Sequence, residues 1–282
     1  MRTPLRIRVF QYGLLVLILA IFLLPMAWLI LSVFKSNFED LARPPVLVPA
    51  DPLAAASKNI GFAFSGAPEP LTSVIANSLV VSIASALASL ILGVVAGYSF
   101  ARFRTGGTNL PFLILTMRMA PPIAIGLPFF LVFRQLGLLD TQLGLVVAYT
   151  TFNLPLVIWL MRSFFREMDT ELEDAALVDG ATRWQALRLI ALPLAAPAIV
   201  ATGLLAFIAS WNEFFFVVLL ARSQAVTLPA LIPLFLPRSI APGQPFGGAF
   251  FLACLSAIPV VILALFLQRY LLRGLSLGAV KG

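Results

Sequence analysis

Five polar residues interrupt long apolar stretches of this sequence, and their types define the chemistry open to the chain. Two of them are charged, Arg118 and Glu213, and three carry amide or indole groups, Asn153, Trp211 and Asn212. A charge at the centre of a bilayer costs roughly 2.5–3.5 kcal/mol on insertion scales, so it needs a partner or a wet cavity. Two interpretations stay open: Arg118 and Glu213 pair with each other, or either lines a path for a solute.

The amide and indole side chains suit carbohydrate. Aromatic faces pack under sugar rings, and amides both donate to and accept from hydroxyls. Asn153, Trp211 and Asn212 are therefore candidate sugar contacts on a substrate path that also includes Glu213 and Arg118. The alternative for the asparagines is a hydrogen bond between helices of a membrane bundle.

Other kinds of chemistry have no residues to carry them. The sequence has no histidine and one cysteine, Cys254, so a His-ligated metal and an intramolecular disulfide are excluded. It contains no GxxxxGK[ST] phosphate loop, so we expect this chain to bind no ATP itself. An intramembrane enzyme would need converging catalytic groups within the spans, and only Arg118 and Glu213 are charged there. We therefore expect no catalytic residue, metal or cofactor on this chain.

Composition points to lipid as the solvent for much of the chain. Of its 282 residues, 61% are hydrophobic and 11% are charged, which is more apolar surface than a soluble core can hide. The net charge of +7 fits basic membrane loops, and no soluble basic patch with base-reading residues suggests nucleic acid.

Apolar stretches of about 20 residues, the length that spans a bilayer, predict an all-α polytopic membrane protein with about six transmembrane helices. In the second stretch, the GxxxG spacing of Gly93 and Gly97 suggests close helix packing. The six stretches lie near 12–34, 71–101, 110–133, 142–164, 194–220 and 247–270.

Lysine and arginine counts predict the orientation. With the N-terminus inside, the cytoplasmic pieces carry twelve of these residues and the external pieces carry six, and Arg118 lies within a span. Both termini are therefore expected in the cytoplasm. Of the external pieces, residues 35–70 contain six prolines and indicate an extended excursion, whereas the proline-broken segment 222–246 is expected to dip into the membrane or dock on an external partner.

The cytoplasmic segment 168–197 is predicted to hold two short helices. Thr170 with Glu173 matches a capping box that starts the first helix, and Gly180 suits its C-terminus. Thr182 with Gln185 matches a second box, opening a helix that Pro193 limits or kinks. The alanine-rich face of the first helix would let another backbone approach closely. The alternative is an amphipathic helix lying on the lipid headgroups.

This segment resembles the EAA loop of bacterial ABC importer permeases. In that pattern Glu-Ala-Ala is followed by a glycine four residues on and an Ile-x-Leu-Pro ending, and here Asp174 replaces the glutamate, with Glu173 immediately before it. The matching residues are Ala175, Ala176, Gly180, Ile190, Leu192 and Pro193. The resemblance implies a type I ABC importer permease fold, in which Glu173, Asp174, Ala175, Ala176 and Gly180 belong to a coupling helix seated on an ATPase subunit.

The carbohydrate branch of these importers, of the maltose-transporter type, is similar over nearly the whole chain. Its markers here are Asn77-Ser78, Trp211-Asn212-Glu213 and the ending 273–282, whose GAVKG tail would sit against the ATPase pair. The resemblance implies a second homologous permease, two ATPase subunits that bind ATP and Mg²⁺, an external solute-binding protein and a sugar or polyol substrate. It also implies location in the bacterial inner membrane.

These expectations divide the chain into a cytoplasmic N-terminus (1–11), a six-helix permease domain (12–272) and a cytoplasmic tail (273–282). The expected function is that of a membrane subunit of an ATP-driven sugar or polyol importer, which itself catalyses no reaction. Two alternatives remain: an ABC permease for another solute such as a peptide, metal or anion, and an ion-coupled transporter that needs no ATPase.

Overall fold

The structure is a computed structural model that describes residues 5–103, 105–107, 109–236 and 246–278. Within these ranges the chain is helical and contains no strand. The α-helices are α1 (Leu5–Val33), α2 (Asn37–Leu41), α3 (Pro52–Ser65), α4 (Leu71–Arg102), α5 (Asn109–Met117), α6 (Pro122–Gln135), α7 (Gln142–Glu167), α8 (Glu171–Val178), α9 (Arg183–Ala186), α10 (Leu192–Trp211), α11 (Phe215–Leu220), α12 (Leu228–Leu231) and α13 (Gly247–Gly278).

Among the described residues, five stretches of helix are long and apolar enough to cross a membrane, and a bent pair makes up to six. The five are α1, α4, α7, the continuous stretch from α9 to α10, and α13. The sixth combines α5 and α6, whose axes differ by 85°. The prediction of an all-α, multi-pass membrane protein is confirmed.

Two predicted spans are not straight helices. The stretch near 110–133 is broken between α5 and α6, where Pro121 and Pro122 remove two backbone donors in succession. The stretch near 194–220 is also interrupted, because α10 ends at Trp211 and α11 begins only at Phe215. The break at Pro121-Pro122 was indicated by the sequence, whereas the prediction of a continuous span over 194–220 was wrong after Trp211.

The described residues divide into two compact units. The first comprises Met1–Leu71 and Leu231–Ile258, the second Thr72–Ala230 and Pro259–Gly282. In the first unit, the prediction of an extended excursion over 35–70 was wrong, because α3 occupies fourteen of its residues. Asp51 accepts a hydrogen bond from the Ala54 amide at the start of α3, and Pro52 follows as its first residue.

In the second unit, α4 and α7 pack closely at the predicted glycines. A Cβ atom added to Gly93 would meet the Val157 side chain, and one added to Gly97 would lie 2.8 Å from the Met161 Cβ atom. Tyr98, Val157, Met161 and Phe165 are buried in the core beside this contact. The GxxxG spacing therefore marks a close helix contact, as expected.

Candidate coupling loop and polar sites in the spans

The helix α8 has defined ends. At its start, the Asp169 carboxylate accepts a hydrogen bond from the Glu171 amide at 3.1 Å. At its end, Gly180 has a φ of +91°, and the amides of Gly180 and Ala181 donate to the carbonyls of Leu177 and Ala176. These two bonds form a Schellman motif, which confirms the role predicted for Gly180.

The predicted capping box of Thr170 and Glu173 is not formed. The Thr170 side chain makes no capping hydrogen bond, and its backbone is helical rather than extended. The Glu173 side chain does not reach back to Thr170 either, because it turns toward α4. The Glu173 side chain is buried, and its Oε2 atom accepts a hydrogen bond from the Tyr98 hydroxyl at 2.7 Å. The second predicted capping box is formed, because the Thr182 side chain accepts from the Gln185 amide and the Gln185 side chain accepts from the Thr182 amide.

Arg102 completes the connection between α8 and the spans. Its Nη2 atom lies 2.6 Å from Oε1 of Glu173, and its Nε atom donates to the same oxygen at 3.1 Å. Its remaining bonds reach the carbonyls of Phe165, at 2.6 Å, and Met168, at 3.3 Å. One guanidinium therefore joins α4, the end of α7 and α8.

Sequence reasoning missed Arg102 and Tyr98 as parts of this site. From the sequence, Arg102 was counted only among the basic residues of the cytoplasmic pieces, and Tyr98 only as part of an apolar span. Their partner Glu173 is 71 residues away from Arg102, and no local spacing signals a contact over that separation.

The opposite surface of α8 is open and partly apolar. Leu172 is 59% exposed and Val178 is 87% exposed. Asp174 and Ala175 are also exposed, and Ala176 is half-buried. Large exposed apolar residues beside charges are typical of a protein contact surface.

Beyond the Schellman turn, the helix from α9 to α10 contains one wide turn. Residues Leu187–Ala191 form a π-helix, in which the Leu192 amide donates to the Leu187 carbonyl. The sequence left open whether Pro193 limits or kinks this helix; the structure shows that Pro193 does not end it, since the helix continues to Trp211. A proline ring clashes with the carbonyl four residues earlier, and a π-turn relieves that clash.

Three of the candidate substrate contacts are engaged within the protein. Asn153 is buried, and its amide donates to the Ser210 hydroxyl at 2.7 Å and to the Ala206 carbonyl at 3.3 Å. Trp211 is buried and stacks on Phe207 with ring centroids 5.8 Å apart. Asn212 is exposed, and its amide donates to the Ile208 carbonyl. Asn153 thus makes the interhelical bond that was the alternative to a sugar contact.

Arg118 and Glu213 do not pair with each other. Glu213 accepts a hydrogen bond from the Phe216 amide at 2.9 Å and so caps the start of α11. Arg118 lies in the break between α5 and α6, where its Nη1 atom donates to the Phe152 carbonyl at 3.2 Å. Among the residues that the structure describes, the ion pair is that of Arg102 and Glu173.

A second polar cluster holds the segment after α11. The Asp140 carboxylate accepts hydrogen bonds from four consecutive amides, those of residues 222–225. Burial alone would raise the pKa of Asp140, but these backbone donors outweigh it and lower the pKa to about 2.

Asn77 and Ser78, at the start of α4, continue this cluster. The Asn77 amide donates to the carbonyls of Gln224 and Val226, and the Ser78 hydroxyl accepts from the Leu228 amide. Gln142 donates to the Asn77 side-chain oxygen at 2.6 Å. The structure thus gives the Asn-Ser pair, first noted as a family marker, a physical role.

Comparison with known proteins identifies the family. Residues 89–277 match the binding-protein-dependent transport system inner membrane component, which is more than half of the 282 residues. The chain belongs to this family. The match includes the candidate coupling loop with α8 and the spans on both sides of it.

Named relatives extend over nearly the full chain. A probable ABC transporter permease of Sinorhizobium fredii, y4oR, is 35% identical over 93% of this chain and 91% of its own length. The trehalose/maltose transport system permease MalG of Thermococcus litoralis is 32% identical over 95% of this chain and 94% of its own. The trehalose transport permease SugB of Mycobacterium tuberculosis is 38% identical over 75% of this chain and 77% of its own.

A solved structure has the same fold. A chain of a bacterial ABC transporter involved in the import of the acidic polysaccharide alginate aligns with a TM-score of 0.74 at 25% identity. The alignment covers 96% of this chain and 99% of that one. The expected resemblance to ABC importer permeases is therefore confirmed for the fold and the family.

Proposed function

We propose that this chain is a membrane subunit of an ATP-driven, binding-protein-dependent importer of a sugar or polyol. It forms the translocation path with a second permease, receives its solute from an external binding protein and couples to two ATPase subunits. Those subunits bind ATP and Mg²⁺ and carry out the hydrolysis. The relatives named for trehalose and maltose support the sugar class.

The observation that carries the proposal is the coupling helix α8. Its open side offers Leu172, Val178 and Asp174 as a contact surface, while its buried side is fixed to two spans through Glu173 and Arg102. Closure of an ATPase pair on ATP would move α8, and the ion pair would pass that movement to α4 and α7. The residues Asp174, Ala175, Ala176 and Gly180 form the part that contacts the ATPase.

The proposed orientation puts α8 and both termini in the cytoplasm of a bacterium, with the protein in its inner membrane. The surplus of lysine and arginine on that side supports it. The Asp140 cluster then lies on the external side. Part of the tail proposed to lie against the ATPases, residues 279–282, is outside the described residues.

The test is ATP hydrolysis by the purified complex in lipid, with the binding protein and a panel of sugars and polyols. We expect hydrolysis to rise with one sugar or polyol, and Val178→Glu to abolish that rise by preventing ATPase docking. Val48→Glu is the matched control, since Val48 is 83% exposed and Val178 is 87% exposed. Transport by the chain alone along an ion gradient, with no ATPase subunit copurifying, would contradict the proposal.

A further inference from the structure

The bend between α5 and α6 exposes backbone in the middle of an apolar region. Pro122 has no N–H group, so the Arg118 carbonyl lacks the donor that a continuous helix would give it. In a membrane, such non-helical backbone is tolerated only where it is buried in protein or lines a water-filled cavity. A cavity of about 280 Å³ does lie against this bend.

The cavity has one charged residue, Arg118, in otherwise mostly apolar walls. Its other walls include Phe129, Phe152, Thr151 and Pro155. Its volume is near the lower end of the roughly 300–1,000 Å³ range of small-molecule sites. The space therefore suits one sugar ring or its substituent rather than a whole oligosaccharide.

The hydrogen bond from Arg118 fixes the depth of the charge. Phe152, whose carbonyl accepts it, lies within α7, a helix of 26 residues that starts at Gln142. At 1.5 Å per residue, this carbonyl is about 15 Å from the start of α7, near the middle of a hydrocarbon core of about 30 Å. Secondary transporters bind their solutes near this depth, and the same position is available here.

Among the residues that the structure describes, no acidic side chain pairs with the positive charge of Arg118. Glu213, the other charge in the predicted spans, caps α11, and the ion pair among the described residues uses Arg102 and Glu173. A guanidinium has five N–H donors in a fork that fits an oxyanion, and the described bond to Phe152 uses one of them. A solute that supplies an oxyanion would compensate the cost of holding this charge.

We propose that the cavity binds the acidic group of an anionic saccharide, with Arg118 as its counter-charge. This inference rests on the proposed function and narrows its substrate class to sugars that carry a carboxylate, sulfonate or phosphate. The fork of Arg118 holds the oxyanion, and the aromatic rings of Phe129 and Phe152 cover the apolar face of the sugar.

The first test measures what the complete transporter imports. Proteoliposomes that contain both permeases, the ATPases and the binding protein receive a mixture of neutral oligosaccharides from starch and acidic ones from pectin and alginate. Mass spectrometry then identifies the imported species. We expect the imported species to be acidic. Arg118→Gln should lower their uptake about tenfold. Arg118→Lys keeps the charge but loses the forked set of donors, and it should lower their uptake about threefold.

The matched control is Arg134→Gln, at the exposed end of α6. This substitution should leave uptake within about twofold of wild type, because exposed charges away from special features contribute little. Import of neutral species with no effect of Arg118→Gln would overturn the inference while leaving the proposed function intact. A third outcome is that the Arg118→Gln complex loses the second permease while the wild-type complex imports neutral species. This outcome would assign Arg118 to subunit assembly and would also overturn the inference. Import of none of these saccharides would overturn this inference, whereas the proposed function fails only if no sugar or polyol stimulates ATP hydrolysis either.

A second measurement does not depend on which sugar is carried. In a Cys254→Ala background, Arg118→Cys should react with a negatively charged methanethiosulfonate reagent, because a solute path must admit water. Ile91→Cys on α4, a position that is 68% exposed within an apolar span, is the lipid-facing control and should stay unmodified. An Arg118→Cys variant that resists the reagent both with and without ATP would overturn the inference, since no solute could then reach the cavity.

Discussion

The guanidinium of Arg102 and the carboxylate of Glu173 form an ion pair at 2.6 Å, with side chains only 11% and 5% exposed. The Tyr98 hydroxyl donates to the same carboxylate. Because Arg102 ends α4 and Glu173 lies in the first turn of α8, this pair fixes α8 to a span through side chains rather than through the chain alone. In the proposed function, a movement of α8 would therefore reach α4 and α7 together.

Neutralising either member of this pair should uncouple the transporter. Removal of one partner of a buried ion pair leaves the other charge unpaired, at a cost of up to about 3–5 kcal/mol. For Glu173→Gln and Arg102→Gln we expect ATP hydrolysis to persist while sugar uptake falls at least about fivefold. Uptake and hydrolysis are measured in parallel on the same proteoliposomes.

The control for this experiment is Glu171→Gln, an exposed acid in the same turn of α8. It should change neither quantity by more than about twofold, since exposed charges contribute little. The exchange Arg102→Glu with Glu173→Arg restores the pair and should recover part of the uptake. Normal coupling in Glu173→Gln would show that α8 is held by its backbone connections alone.

Gly180 is the next position at which coupling and stability can be separated. Its φ of +91° is disfavoured for residues with a side chain, and a Cβ atom there would meet nothing within 4 Å. Gly180→Ala should therefore lower the free energy of unfolding by about 1–2 kcal/mol through backbone strain alone. Gly180→Asn should cost less, because asparagine tolerates this conformation.

Gly137 provides a matched control for Gly180. It has a φ of +67° and equally open space, but lies in the connection between α6 and α7. Thermal unfolding should show a similar loss of stability for Gly137→Ala and Gly180→Ala. Sugar-stimulated ATP hydrolysis should persist in Gly137→Ala and be lost in Gly180→Ala. Equal hydrolysis in the two variants would remove Gly180 from the coupling mechanism.

Local patterns predicted the coupling loop better than the spans around it. The box of Thr182 and Gln185 and the turn at Gly180 depend on residues a few positions apart, and both are present. The box of Thr170 and Glu173 has the same spacing, but Tyr98 and Arg102 offer Glu173 stronger partners. The choice between two partners for one carboxylate is made by tertiary packing, which a single sequence does not contain.

The spans show the same difference between local and distant information. The sequence marked a break at Pro121-Pro122, and the structure has one there, but hydropathy does not register direction, so the 85° angle of this break was not predicted. Asn153 illustrates the limit for the candidate site. Its residue type suited either a sugar or a neighbouring helix, and only the positions of Ala206 and Ser210 show that it bonds to a helix.

Close packing of α4 on α7 should make Gly97 sensitive to any added side chain. A Cβ atom at Gly97 would lie 2.8 Å from the Met161 Cβ atom and 2.9 Å from the Arg162 amide nitrogen. Gly97→Ala should therefore lower stability by about 1–3 kcal/mol, the usual cost of overpacking. Thermal unfolding of the detergent-purified protein measures this change.

The control for Gly97 is Gly13→Ala in α1, where a new Cβ atom would meet nothing within 4 Å. It should be neutral or slightly stabilising, because alanine favours helix over glycine. A Gly97→Ala variant as stable as wild type would mean that α4 and α7 can separate without cost.

Asp140 should make the segment at residues 222–225 sensitive to acid. Its pKa is lowered to about 2 in the folded protein, from an ordinary value of 3.8. A lowered folded-state pKa means that the stabilisation is complete above about pH 4 and is lost as the pH falls toward 2. Asp140→Asn keeps a residue that tolerates the φ of 55° observed here, but removes the charge.

We therefore expect Asp140→Asn to lower stability by about 1–3 kcal/mol at neutral pH, since the four amides would then donate to a neutral amide oxygen instead of a carboxylate. The difference from wild type should shrink as the pH is lowered from 4 to 2.5, because wild-type Asp140 itself becomes protonated. Thermal unfolding across this range measures the difference, with Asp179→Asn at the exposed end of α8 as the control for loss of a carboxylate. A difference that stays constant with pH would mean that the charge of Asp140 does not hold this segment.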